Sequence, residues 1–193
     1  MKTFLHFFLL TFTLNIFGQE KPYFYQIPEA PTHYTPENVA ARLVDGLGFR
    51  YYWATEGLRD VDLNYQPTKE ARTSLQTLEH ILDLTAFVNN AVQQRTTTSM
   101  VKPGQMTFEE IRAQTLENLK EASLTLRTSG ADLNNFKMKV KLSKSASEYP
   151  FWDLINGPIS DALWHVGQVV SLRRASGNPF PEGVSLLQGK KIK

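Results

Sequence analysis

The chain has no cysteine among its 193 residues. That excludes a disulfide framework, a thiolate nucleophile and any thiolate metal ligand. A metal site here must be built from histidine, carboxylate or amide groups. A dominant charge is missing too: 21 lysines and arginines face 19 aspartates and glutamates, and the basic residues are scattered. This leaves no electrostatic footprint for nucleic acid. The longest apolar run lies near the N-terminus and is short and interrupted, against the roughly 20 apolar residues a membrane span needs. What is present is a hydrophobic content of 41% with 11% aromatic residues, enough to build the core of one domain.

The opening "MKTFLHFFLLTFTLNIFGQEKP" has a basic start at Lys2, an apolar run and small Gly18 before polar Gln19. This layout predicts a secretory signal peptide over residues 1–18, with an uncleaved anchor as the alternative. Without a cysteine at the cleavage point, thioether lipidation is excluded. The expected location is therefore exported, periplasmic or extracellular, with no stable membrane insertion after cleavage. Residues 19–34, "QEKPYFYQIPEAPTHY", show no period. They read as an extended arm lying on the domain or as a linker, with His33 a loop residue.

Four helices follow. The first opens at "TPEN", where Thr35 can cap and Pro36 suits the first helical position, and runs to about Leu58. Gly46 and Gly48 sit beside Phe49, Tyr51, Tyr52 and Trp53, which predicts a close helix–helix contact or a pocket wall. Arg50 and Glu56 among these aromatics are either snorkelling ends of a core face or substrate contacts. The second helix spans about Lys69 to Gln94, and His80 shares a side with Leu84 and Phe87, at the interior or its mouth. The third opens with a capping box, Thr107 to Glu110, and runs to about Thr128. "FKMKVKLS" then alternates Phe136, Met138, Val140 and Leu142 with lysines. One short strand cannot make a sheet alone, so an extended strap with outward lysines is expected. The fourth helix has Pro158 near its first turn and stops at Gly177 before Pro179. The fold class is all-α, a four-helix bundle over residues 35–180 with a long connection before the last helix and a C-terminal tail at 181–193.

On the fourth helix Asp161, His165, Gln168 and Leu172 fall in one narrow stripe, bordered by an apolar face of Ile159, Leu163, Val166 and Val170. Asp161 and His165 are spaced i, i+4, which lets two side chains hold one ion. His80 offers a third ligand. The alternative is an ion pair at the core rim.

The segments "LEHILDL" and "NGPISDALWHVGQVVSLRRASGNP" resemble the DinB-like superfamily of metalloenzymes, and are similar to exported members from Bacteroidota-type bacteria. The resemblance covers most of the chain after Thr35. It implies a four-helix bundle whose metal is held by a histidine on the second helix and an H-x-x-x-H pair on the last, just before G-Q. On this chain those positions are His80, Asp161 and His165, with aspartate where the family usually has histidine. A set of two histidines and one carboxylate suits zinc, nickel, iron or manganese. Characterised relatives are thiol-dependent transferases and isomerases, in which a metal holds a thiolate. Small thiols are scarce outside the cytosol, so an exported chain does not simply inherit that cofactor.

The expected function is an exported metal-dependent hydrolase or thiol-type transferase acting on a small molecule. Gln168 would stand behind the ligands, and Tyr52 and Glu56 are pocket candidates. Asp161 also leaves open a non-catalytic ligand-binding or stress-associated envelope bundle with a degenerate metal site. A homodimer through an outer helix face is open as well.

Overall fold

A computed structural model of the chain describes residues 21–192 except 129 and 131; the expected signal peptide lies outside the described residues. The chain is mostly helical, with small sheets. Helix α1 spans Pro36–Thr55, and Thr35 caps it by accepting a hydrogen bond from the Asn38 amide. It ends three residues before the expected Leu58 because Glu56 leaves the helical region and Gly57 takes φ +69°. A single turn, α2 at Asp60–Leu63, follows. Helix α3 spans Ser74–Val92, not Lys69–Gln94. A capping box between Thr73 and Gln76 sets its start, and residues 69–72 are left in a loop. Helix α4 spans Phe108–Thr128, with Thr107 and Glu110 exchanging capping hydrogen bonds.

The last helical run begins earlier than expected. A short helix, α5 at Phe151–Leu154, passes into a wide π turn at Ile155–Ile159 and then into α6 at Ser160–Ala175. Pro158 is thus inside the run rather than at its first turn. The wide turn accommodates a residue with no N–H to give, and the Ser160 hydroxyl donates to the Ile155 carbonyl at 2.6 Å.

The long helices close a ring of contacts, α1 on α4, α4 on α3, α3 on α6 and α6 on α1. Inside it lie Val44, Leu47, Phe49, Leu78, Ile81, Ile111, Leu119 and Leu126, all fully buried. Each such side chain contributes about 1.5–3 kcal/mol on burial. The buried line of α6 is Ala162, Val166, Val169 and Arg173. Leu163 does not share it as expected; it is 42% exposed, because the buried face is turned by roughly 60° from the expected one, keeping Val166 and replacing Leu163 and Val170 by Ala162 and Val169. Of the two expectations at Gly48 the helix–helix contact is not the one found, while Phe24 and Tyr52 beside it do line a cavity. The neighbour is not another helix but the ring of Phe24, which a Cβ would meet at 2.4 Å.

Residues 21–34 lie against the helices: Phe24 is buried and Tyr25 packs on Trp53 with ring centroids 5.1 Å apart. His33 is exposed. The expected lone strap is the middle strand of a three-stranded sheet. Strand β1 at Thr96–Thr97 pairs in parallel with β2 at Lys137–Val140, which pairs antiparallel with β3 at Ser147–Pro150. The lysines of β2 face outward. Leu142 breaks the alternation and is exposed. The C-terminal segment makes a small hairpin, β4 at Val184–Ser185 with β5 at Lys190–Lys191. It meets the N-terminal segment where the Ile27 amide donates to the Gly189 carbonyl at 2.7 Å. Among the described residues no helix is long and apolar enough to cross a membrane.

Candidate metal centre

The packing of α3 on α6 brings His80 to Asp161 and His165. One ligand atom from each lies within 4.8 Å of the others. His80 Nε2 is 3.6 Å from Asp161 Oδ2, and His165 Nε2 is 3.3 Å from Asp161 Oδ1. The two imidazoles meet edge to face with centroids 4.7 Å apart. The π turn immediately before α6 delivers Asp161 in its first helical turn, and the i, i+4 spacing then puts His165 above it.

Gln168 orients the set. Its Oε1 lies 2.7 Å from His165 Nδ1. In a neutral imidazole this hydrogen bond keeps the proton on Nδ1 and leaves Nε2 as a lone pair. Burial pulls the His80 pKa below the ordinary histidine value, aided by the charges of Arg72 and His165 and opposed by Asp161 and Asp83. The neutral form is the one that binds metal. Both Nε2 atoms face the Asp161 carboxylate, and a cation bound between neutral imidazoles and that carboxylate would be held by all three residues. Ligand atoms on a tetrahedral ion with bonds of about 2.0–2.1 Å stand roughly 3.3–3.4 Å apart. The contacts at Asp161, 3.3 and 3.6 Å, run to different carboxylate oxygens, and one ligand atom from each residue comes within 4.8 Å of the others, so small side-chain movements would close the set to that spacing. Side-chain exposures of 26% for His80, 13% for His165 and 45% for Asp161 leave one side of the set open to an incoming molecule. The residues present thus fit a divalent transition metal.

Tyr52 and Glu56 do not join the triad. The Arg112 guanidinium donates to Glu56 Oε2 at 2.6 Å and to Thr55 Oγ1 at 2.9 Å, and it stacks over the Tyr52 ring at 4.9 Å. Both residues tie α1 to α4. Tyr52 lines a different cavity, with Tyr23, Phe24 and Leu116. Arg50 donates back to the Gly46 carbonyl in its own helix.

His165 and Gln168 do line an open cleft of about 680 Å³, with Arg72, Trp164 and Leu172 among its walls. Arg72 and Trp164 were not singled out by sequence pattern. The signal for Trp164 is its place beside His165; for Arg72 it is the Thr73–Gln76 capping box, which ends the loop at its side. A scan against protein-family models and a search of curated proteins each return no match for this chain.

Proposed function

We propose that the protein is an exported metal-dependent enzyme, a hydrolase or thiol-type transferase of a small molecule, built as a DinB-like four-helix bundle with a long connection before its last helix. The observation that carries the reading is the convergence of His80, His165 and Asp161, with Gln168 holding the His165 lone pair inward. His80 and His165 would bind through Nε2, and Asp161 would offset part of the cation's charge. Such an ion, when bound, supplies Lewis acidity that lowers the pKa of an incoming water or thiol. Gln168 keeps the His165 ring from rotating, and His165 is the member of the triad that also lines the cleft.

The test is elemental analysis of mature protein purified without tags or chelators, beside His80→Ala and His165→Ala. The expected result is about one equivalent of zinc, nickel, iron or manganese, lost in either variant while helical circular dichroism stays unchanged. Metal content indifferent to both substitutions would overturn the reading.

A second reading is favoured by Asp161 itself, which stands partly exposed where the resembling family usually has histidine. It is an envelope bundle that binds a ligand without catalysis, its metal site degenerate. Thermal stability that ignores both chelator and added metal, together with a co-purifying organic molecule, would favour it.

A further inference from the structure

The cleft beside the triad is lined by donors of positive character. Arg72 is exposed on the loop before α3 and makes no hydrogen bond or ion pair among the described residues. Arg59 is engaged with Asp62, Arg112 with Glu56, Arg127 with Asp45 and Arg173 with backbone carbonyls, whereas Arg174, also without such a partner among the described residues, lies at a different cavity. Gln168 spends its oxygen on His165, which leaves its amide N–H groups for a ligand. The hydroxyls at the cleft are already used, Ser171 donating to the Gly167 carbonyl and Thr77 to the Thr73 carbonyl. Among the described residues no carboxylate lines the cleft. Its opposite character is apolar: Trp164 stands 72% exposed, and Leu172 and Pro67 complete the wall. A large indole kept in water beside a donor-rich wall suits a planar ligand that covers it.

We propose that this cleft binds a small planar carboxylate, the carboxylate gripped by Arg72 and Gln168 and the flat body lying against Trp164. Gln168 also touches His165, so the gripped carboxylate lies beside that histidine. The proposal rests on the metal reading of the same site for its catalytic meaning, but not for the binding itself. A guanidinium receives a carboxylate through two parallel hydrogen bonds, whereas a compact phosphate offers nothing for the indole to cover. The single carboxylate of the triad does not neutralise a divalent cation, so a bound metal adds to the attraction for an anion. The cleft volume of about 680 Å³ accommodates a molecule of that size.

The probes are benzoate, its neutral isostere benzamide, and inorganic phosphate. They are titrated into the zinc-loaded full protein and followed by calorimetry, with zinc content measured on the same samples. Benzoate should bind at least about tenfold tighter than benzamide. Arg72→Gln should abolish that preference without changing zinc content, and Trp164→Leu should weaken both aromatic probes. Equal affinity for benzoate and benzamide overturns the proposal. So does benzoate binding that survives Arg72→Gln, which would mean capture by zinc alone. Phosphate competing as well as benzoate overturns the planar part. Absence of uptake of zinc, nickel, iron and manganese alike condemns the metal reading by itself. The same titration of metal-free protein then judges the cleft: an Arg72-dependent preference for benzoate supports it, and no preference overturns it.

Discussion

At the scale of the residue, Arg173 shows how one side chain closes the molecule. It is fully buried, and its guanidinium donates to the carbonyls of Trp53, Ala54 and Glu56 at 3.3, 2.9 and 3.1 Å. These carbonyls close α1 and have no partner within that helix. A cation there also suits the negative end of the helix dipole. Nε and Nη2 reach the Asn178 carbonyl and side chain, so the guanidinium is satisfied on both sides. Burial draws its pKa below the ordinary arginine value, opposed by Asp62 and Glu56. Replacing Arg173 by Leu strands three carbonyls and should cost about 3–5 kcal/mol. Arg174→Leu, at the neighbouring exposed position, should cost less than about 0.5 kcal/mol. Urea denaturation of the two variants decides it, and equal midpoints would refute the account. Helical periodicity places Arg174 on the outer face of "SLRRASGNP", but nothing in the sequence assigns Arg173 a partner. Its acceptors belong to a helix more than a hundred residues away. The same limit applies to Tyr52 and Glu56. An aromatic-rich helix reads alike whether it lines a pocket or, as here, clasps an arginine from α4.

At the scale of the element, what was legible depended on whether the signal was local. The capping boxes are local, and Thr107–Glu110 was readable as the start of α4. Thr73–Gln76 is as strong a signal, but the apolar period continues plausibly upstream into "KEAR", so the expected start fell too early. Strand β2 was readable from its alternation. Its partners were not, because two threonines and "SEYP" have no period to show. The triad is an intermediate case. Asp161 and His165 share a helix and follow from spacing, whereas His80 came from the resemblance and from its side of α3. The short loop between Ala71 and Thr73 matters for function because it carries Arg72 to the cleft. Thr73→Ala removes the oxygen that accepts from the Gln76 amide at 3.1 Å. It should lower stability by about 1 kcal/mol, read as a shift of the urea midpoint with an unchanged slope. A loss within experimental error would show that the box does not anchor the start of α3.

At the scale of the whole molecule, stability is tied to pH through one buried carboxylate. Asp62 is fully buried in the single turn α2, yet it touches both ends of the fold. It accepts from Arg59 Nε and Nη2 at 2.9 and 2.8 Å, from Ser176 Oγ at 2.6 Å and from Asn178 Nδ2 at 2.6 Å. The Arg59 guanidinium is the largest cause, joined by Ser176 and Asn178, that holds the Asp62 carboxyl far below the usual carboxylate range, against a smaller opposing effect of burial. The unfolded chain therefore takes up a proton at Asp62 at a pH where the folded chain does not. A depressed folded pKa gives stability that is complete above the ordinary aspartate value of about 3.9 and is lost as pH falls below it. Asp62→Asn keeps the shape but meets Arg59 with a neutral amide, and two donors then face its –NH₂ group. The variant should be less stable than the parent by about 3–5 kcal/mol at pH 7. The gap should narrow steadily between about pH 4 and pH 2 as the parent loses its own contribution. Urea unfolding at pH 7, 4 and 2.5 measures this directly. A gap that stays constant with pH would mean that Asp62 acts through shape alone. A gap that closes would show that one ionised carboxylate locks the end of α6 to the start of α2, which holds α6, and with it Asp161 and His165, in register against α1.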